Sequence, residues 1–391
     1  MVRSNFRDPL ADHQSAWSSV YQVRKNFGIN VSDKRLSAYN GLMEERNPAL
    51  HAKKRATLRD IAHDVGVATG TVSVVLNGSR SGTSVSDRTR DAIHESAKRL
   101  GYRPNWLAKT LQGGSTRTIG IIPTEATRGF LLGPHIQRIL NATANVLAEN
   151  HHDLLILTRC DQSDVQGILQ GVVNGRIDGA IVVAPRADSR LVETLEEARF
   201  PFVVLDGDPE IHHTTYNADD AEGTRAGVDH LRGLGHERIA YIAGPLNLGS
   251  GRRRLEEFRR VCGDDAPVEH GNFQIEAGEK AMHTLLQRSL RPTAVVCAND
   301  ETAMGAIRAV QNTGLSVPHD ISVVGFDDAP YSGVVHPGLT TYAQPVELMA
   351  RAAATAILQN LELSLPIRGE IFPGHLVIRQ STSSPKQDIH Q

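Results

Sequence analysis

From Thr116 onward the chain repeats one pattern, a short apolar run followed by a stretch of helix length that is apolar along one face. The runs are Ile119-Gly120-Ile121-Ile122-Pro123, Leu154-Leu155-Ile156-Leu157, Ala180-Ile181-Val182-Val183 and Phe202-Val203-Val204-Leu205. A second series follows, with Ile239-Ala240-Tyr241-Ile242, Ala294-Val295-Val296-Cys297 and Ile321-Ser322-Val323-Val324. Amphipathic stretches such as Ile136 to Asn150, Ala221 to Leu234 and Asp300 to Thr313 lie between them. Strands that are apolar throughout and alternate with helices predict parallel sheets covered on both faces, and two such series predict two α/β lobes. In open α/β sheets ligands collect outside the carboxyl ends of the strands, so the cleft between the lobes is the expected site.

Polar residues stand where those strands end. Asp206 follows Val203-Val204-Leu205, Asn299-Asp300 follow Val295-Val296-Cys297-Ala298, and Asp327-Asp328 follow Val324-Gly325-Phe326. Carboxylates and an amide at one cleft accept hydrogen bonds from a polyhydroxy compound, Arg254 donates two at once, and Phe273 offers a face for an apolar sugar surface. Asp300 reads equally well as the cap of the helix that follows it, and Arg252 and Arg253 read as solvated surface charges.

The length of 391 residues and 40% hydrophobic content suit two or three domains with a sizeable core. Neither a bilayer-spanning apolar run nor a signal-peptide core is visible, which makes the cytoplasm the expected address. Cys160, Cys262 and Cys297 lack metal-ligand spacing and read as small buried hydrophobes in a reducing compartment; no metal or cofactor is expected. The formal charge of -2 is unevenly spread. Residues 52–117 hold twelve Lys or Arg against five Asp or Glu, whereas from Thr118 onward the count is 23 against 34. A polyanion is therefore attracted to one end of the chain and repelled by the rest.

That basic stretch carries two short helical periods. Leu58, Ile61, Ala62 and Val65 recur at helical spacing, Gly66 breaks the run, and Val72, Val75 and Leu76 resume it. The reading is a helix-turn-helix, with Thr69, Gly70, Ser73 and Val74 facing the major groove and Thr71, Ser73 and Asn77 near phosphates. Taken alone, the same pattern fits an ordinary helical hairpin. A third helix starts at Ser86, an N-cap, and carries Ile93, Ala97 and Leu100 before Gly101; Ser86, Thr89 and Arg90 at its start are placed for phosphate. After Tyr102-Arg103-Pro104, Asn105 caps a helix of about two turns that ends at Gly113-Gly114, too short to be stable alone.

With that tract the chain resembles the LacI family of bacterial transcription regulators, over about Thr57 to Arg379. The phrases Val323-Val324-Gly325-Phe326-Asp327-Asp328 and Leu339-Thr340-Thr341-Tyr342-Ala343-Gln344-Pro345 carry the likeness in the second half. The resemblance implies a small all-α helix-turn-helix headpiece and a two-lobed α/β effector domain with parallel sheets, similar to periplasmic binding proteins. It implies a hinge whose Leu111 inserts between base steps of the minor groove, with Ala108 at the contact between paired hinge helices. It adds Thr57, Leu58, Ala68 and Asn105 to the DNA-facing residues, and places Phe130, Asp206, Ser250, Arg254, Phe273, Asn299, Asp327 and Gln344 around the effector. Residues 1–51, with mixed charge and no sustained period, read either as a disordered N-terminal extension or as the product of too early a start codon; the divisions that follow are a headpiece at 52–104, a hinge at 105–115, an effector and dimerisation domain at 116–381 and a tail at 382–391. The implied partners are near-palindromic double-stranded operator DNA, a small-molecule effector of carbohydrate type, with a nucleoside second, and a second copy of the chain, with no membrane involved.

Departures from the family pattern accompany the matches. Ala68 stands where serine is usual and Val74 where arginine is frequent, so a bidentate contact to guanine is absent there. Specificity then falls to Thr69, Ser73, contact of Val74 with a thymine methyl, and DNA deformability. The loop before Val85 is longer than usual, and Glu125-Ala126-Thr127-Arg128-Gly129-Phe130 replaces the customary Asn-Pro-Phe. Two rival readings are an α/β enzyme and a secreted solute-binding protein. The first lacks a Gly-x4-Gly-Lys-Ser/Thr loop, dinucleotide glycine spacing and an ordered nucleophile-base pairing; the second lacks an export signal and does not account for the basic headpiece.

Overall fold

A computed structural model describes residues 56–77, 85–102, 115–123, 133–157, 172, 175–211 and 214–386, with only the backbone at Asn77. The extension at 1–51, Asn105, Ala108, Leu111, Phe130, Cys160 and the last five residues of the tail lie outside the described residues. Contacts between backbone positions divide the chain into two units, residues 1–104 and 105–391.

In the first unit, helix α1 (Leu58–Val65) starts from a reciprocal capping box. Thr57 Oγ1 accepts from the Asp60 N–H, and the Thr57 N–H donates to Asp60 Oδ2 at 2.7 Å. Such a cap is worth about 1 kcal/mol. Gly66, at φ 74, ends the helix in a left-handed turn that non-glycine residues rarely adopt. Helix α2 (Thr69–Asn77) follows, and α3 (Asp87–Arg99) starts where Ser86 Oγ accepts from the Thr89 N–H. The three pack around Ile61, Ala62, Val72, Val75, Ile93 and Ala97, all buried. Asp64 ties α1 to α3, accepting from Ser96 Oγ at 2.5 Å and from the Arg99 guanidinium, and these bonds, the one from Ser96 foremost, hold its carboxyl below the usual range.

The second unit has two six-stranded sheets. The first contains β1 (Thr118–Pro123), β2 (Asp153–Ile156), β3 (Gly179–Val183), β4 (Phe202–Leu205), β5 (Thr215–Ala218) and β11 (Glu370–Phe372), in the order β11-β5-β4-β3-β1-β2 and parallel throughout. Helices α4 (Pro134–Glu149) and α5 (Leu191–Glu197) belong to this lobe. The second sheet contains β6 (Ile239–Ala243), β7 (Val268–His270), β8 (Ala294–Cys297), β9 (Ser322–Asp327), β10 (Thr340–Ala343) and β12 (His375–Val377), ordered β12-β10-β9-β8-β6-β7. Its helices are α6 (Asp220–Gly233), α7 (Gly249–Cys262), α8 (Ile275–Leu286) and α9 (Asp300–Asn312). Helix α10 (Val346–Leu363) returns to the first lobe, burying Val346, Met349, Ala353 and Ile357 in its core. The chain thus crosses between lobes after β5, after β10 and after β11.

Two expectations need correction. The second sheet is not wholly parallel, because β12 pairs antiparallel with β10 after the last crossing. The run at Leu154 is not covered on both faces: β2 is the edge strand, and Ile156 is 37% exposed. Residues 382–386 of the tail lie against the second lobe, where the Ser383 N–H donates to Ser322 Oγ at 3.0 Å and Lys386 Nζ to Asp320 Oδ1 at 2.6 Å. Among the described residues no helix is long and apolar enough to cross a membrane.

Candidate functional site

A cavity of about 320 Å³ opens between the two lobes, at the carboxyl ends of the strands and the amino ends of the helices that follow them. From the first lobe it is lined by Gly133, His135, Ala184 and Asp206. The second lobe supplies Pro245, Leu248, Ser250, Arg254, Phe273, Asn299, Glu301 and Asp327 among others, and Gln344 comes from the crossing after β10. The wall thus holds Asp206, Ser250, Arg254, Phe273, Asn299, Asp327 and Gln344 of the expected residues; Phe130 lies outside the described ones.

The backbone is strained where it meets the cavity. Ala184, Asp206, Phe273 and Asp327 have φ of 47°, 55°, 68° and 130°, in the region that favours glycine, and all four line the wall. Such conformations cost of order 1–3 kcal/mol each and persist where the surroundings over-determine them. Here they turn the chain sharply at strand ends and aim side chains into the cleft.

Asp206 Oδ2 lies 2.6 Å from His135 Nε2. Burial alone would lower the imidazole's pKa, but the carboxylates of Asp206 and Asp327 outweigh it and raise it above the usual histidine value. Burial pushes the Asp327 carboxyl up to about 6 despite His135, Arg254 and a hydrogen bond from Gln344 Nε2. That bond leaves Gln344 Oε1 buried on the wall with no partner among the described residues. On the outer side, Arg138 of α4 donates to the Asp327 carbonyl at 3.0 Å and the Gln344 carbonyl at 3.2 Å, and grips Glu347 with two bonds of 2.7 Å. Arg138 positions both wall residues from the opposite lobe.

Five residues behave differently from the sequence expectation. Arg254 does not arrive with its guanidinium uncommitted: Nε donates to Asp220 Oδ1 at 2.7 Å, Nη1 to the Ala298 carbonyl at 2.5 Å, and the group stacks 3.6 Å above the Phe326 ring. Asn299, expected to accept from a ligand, has its carbonyl filled by the Thr302 N–H at 3.0 Å and hydroxyl at 2.5 Å, while Nδ2 donates to the Phe273 carbonyl and Glu301 Oε2. Its place is therefore structural, as the N-cap of α9. Asp300 neither caps that helix nor reaches the cavity. It is fully buried, accepting from Thr341 Oγ1, Ser332 Oγ and the Ala329 N–H, and burial together with Asp327 raises its carboxyl to about 7. Arg252 and Arg253 are not solvated charges: across the lobes the first pairs with the buried Asp208 and the second donates to the Gly207 carbonyl, and within its own lobe Arg253 pairs with Asp220.

His135, Glu301, Glu276 and Arg138 were missed. Each lies in the first turns of a helix that follows a strand or turn, and the rule that put Asp206 at the cleft places those turns there too. The start of α4 was legible in Gly133-Pro134, since proline suits the first helical position.

In the headpiece, Ala68, Thr69 and Gly70 are exposed, and Thr71, Ser73 and Val74 are half-buried. Thr69, Gly70, Ser73 and Val74 share one face of α2 by helical spacing. The Thr57 hydroxyl is committed to Asp60 and the Ser86 hydroxyl to Thr89, while Leu58 packs on the core.

Comparison with known proteins gives these two units a common context. Residues 57–105 match the domain described as bacterial regulatory proteins, lacI family, and residues 228–382 the periplasmic binding protein-like domain. The chain is 31% identical over 343 residues to the HTH-type transcriptional regulator CelR of Thermobifida fusca, covering 85% of this chain and 100% of that one. It is 34% identical over 351 residues to the HTH-type transcriptional repressor PurR of Erwinia tasmaniensis, covering 86% and 100%. Among solved structures, the Lac repressor dimer bound to operator and the anti-inducer ONPF superposes with a TM-score of 0.73 at 29% identity, covering 84% of this chain and 100% of that one. A CelR–cellobiose complex superposes with a TM-score of 0.63 at 29% identity over the same shares. A capped three-helix headpiece, two strained α/β lobes around a polar cavity, and full-length likeness to regulators lead to one conclusion: the chain belongs to the LacI family of bacterial regulatory proteins and is a transcriptional regulator.

Proposed function

We propose that the cavity takes a carbohydrate effector and that its occupancy sets the affinity of the headpiece for operator DNA. The observation that carries this reading is a cavity of about 320 Å³ whose wall combines the carboxylates Asp206 and Asp327 with the Phe273 ring. Sugar hydroxyls donate to the carboxylates, and an apolar sugar face suits the ring. Binding is not coupled to turnover: the protein holds its ligand and releases it unchanged, as its regulator relatives suggest.

In this reading two copies of the chain bind the half-sites of a near-palindrome in the cytoplasm. Thr69, Ser73 and Val74 read the major groove, Thr57, Thr71, Asn77, Ser86 and Thr89 approach phosphates, and Leu111 enters the minor groove with Ala108 at the hinge contact. The hinge helix is too short to persist unpaired, so a shift between effector lobes that moves two hinges apart unfolds them and weakens specific binding. The test is capture of genomic DNA fragments by the purified protein, repeated with a panel of mono- and disaccharides. Enrichment of a near-palindromic sequence that changes with one sugar is the expected result. Indifference to every fragment with and without sugars overturns it. Leu111→Ala is expected to weaken specific binding far more than nonspecific binding, and equal losses overturn the minor-groove role.

A further inference from the structure

The cavity stands where the fold gathers the amino ends of helices. His135 lies in the first turn of α4, Ser250 in that of α7, Glu276 in that of α8 and Glu301 in that of α9. Each helix start carries roughly half a positive charge, an arrangement that on its own favours an anion. This chain fills that arrangement with its own carboxylates. Asp206, Glu276, Glu301 and Asp327 all line the wall, each with a whole charge when ionised against the half charge of a helix end.

The two basic side chains on the wall are already engaged. His135 Nε2 is on Asp206 at 2.6 Å, and the Arg254 guanidinium is on Asp220 at 2.7 Å and on the Ala298 carbonyl at 2.5 Å. Asp220 is buried and shared between Arg254 and Arg253, so the charge that Arg254 keeps is turned on the wall's own carboxylate Asp327. Glu301 accepts from Asn299 Nδ2, a neutral group, at 2.7 Å, and shares His135 with Asp206 and Asp327. A phosphate or carboxylate on the ligand brings acceptors and negative charge, which this wall already has.

From this we infer that the site selects an uncharged, hydroxyl-donating ligand and rejects phosphorylated or acidic sugars, with Glu276 and Glu301 determining specificity for charge. The inference rests on the carbohydrate reading above and narrows it. Rejection follows from desolvating an anion beside four carboxylates that already share the two basic side chains of the wall, a like-charge arrangement that costs several factors of ten in affinity.

The test is a binding screen on the full chain at pH 7.5, by thermal shift and then calorimetry. It uses neutral mono- and disaccharides, including glucose, galactose, cellobiose and maltose, beside their 6-phosphate esters and uronic acids. The expected result is that a neutral sugar binds and its phosphate ester or uronic acid binds at least about 100-fold more weakly. Glu301→Gln is expected to narrow that gap by about tenfold, and Glu276→Gln, exposed at the rim, to narrow it by less. An anionic sugar that binds as tightly as its neutral parent, or a gap unchanged in both variants, overturns the charge inference while leaving the carbohydrate reading in place. Binding of neither class overturns the carbohydrate reading and this inference with it.

Discussion

Arg254 and Asp220 form a buried ion pair, Nε to Oδ1 at 2.7 Å, with both side chains 5% or less exposed. The arginine faces the cavity on one side and the Phe326 ring on the other, so one residue serves both ligand and lobe. Replacing it with alanine leaves a buried carboxylate with Arg253 as its remaining partner and removes the cation above Phe326. Losing one partner of a buried pair typically costs 3–5 kcal/mol, and the retained Arg253 places Arg254→Ala near the lower end, about 3 kcal/mol. Urea unfolding is expected to show that loss together with loss of effector response. Loss of response with unchanged stability would mean that Arg254 acts on the ligand alone.

Several buried groups around the cavity titrate in the same direction. Burial raises Asp327 to about 6 and Asp300 to about 7, and neighbouring carboxylates raise His135 in spite of its burial. A group whose folded pKa lies above its unfolded value contributes stability that is complete below the unfolded value and is lost as pH rises through the folded one. The ligand-free protein is therefore expected to lose melting temperature between pH 5 and pH 8, by roughly 5 °C or more. Asp300→Asn is expected to flatten the slope. Hydroxyls donated to ionised Asp327 reverse the trend for the complex, so effector affinity rises across the same range. A midpoint that climbs with pH in the ligand-free protein contradicts the assignment.

The headpiece is a separate unit with a core of six buried residues, and it has little stability to spare. Ile93 is fully buried among Ile61, Ala62, Val72, Val75 and Ala97. Truncating a buried isoleucine to alanine costs 2–5 kcal/mol, enough to unfold a core of this size. Ile93→Ala is expected to abolish DNA binding in a gel-shift assay while calorimetric effector affinity stays within a factor of two of wild type. Parallel loss of both activities would show that the two units do not fold independently.

How much of this could be read in the residues depended on how each element was stabilised. Strands β1, β3, β4, β6, β8 and β9 announce themselves because both faces are buried and apolar. Strands β5 and β10 do not: Thr215, Asn217, Thr340 and Thr341 are buried as hydrogen-bonded polar groups, as in Asn217 Nδ2 to Thr215 Oγ1 at 3.0 Å, and read as loop. Asp206 and Asp327 were visible because a charge directly after an apolar run is conspicuous. His135, Glu276 and Glu301 were hidden because they come to the wall through the pitch of the next helix. Nor could the sequence reveal that Arg254 and Asn299 spend their hydrogen bonds on the protein, since Asp220 and Thr302 reach them only through packing.

Contacts between the lobes converge on the turn before α7. The Ala187 N–H donates to the Asn247 carbonyl at 2.9 Å, Arg186 bridges to Leu248, Arg253 Nη1 donates to the Gly207 carbonyl at 2.7 Å, and Arg252 pairs with Asp208. Gly249 stands at the closest approach. A Cβ placed there would lie 2.9 Å from the Gly207 oxygen and 3.1 Å from Asp208 Cα. Both are backbone atoms of the opposite lobe, so a methyl group cannot be accommodated by turning a side chain. Gly249→Ala is therefore expected to push the lobes apart at this edge while leaving each lobe's core intact. Because Leu248 and Ser250 line the cavity on either side of that position, effector affinity is expected to fall by about 10- to 100-fold, roughly 1.4–2.8 kcal/mol, with the far-ultraviolet circular dichroism unchanged. Calorimetric titration read beside small-angle scattering checks both halves: a larger radius of gyration with weakened binding fits a closure contact, and unchanged binding would remove this turn from the account of how the lobes hold their ligand.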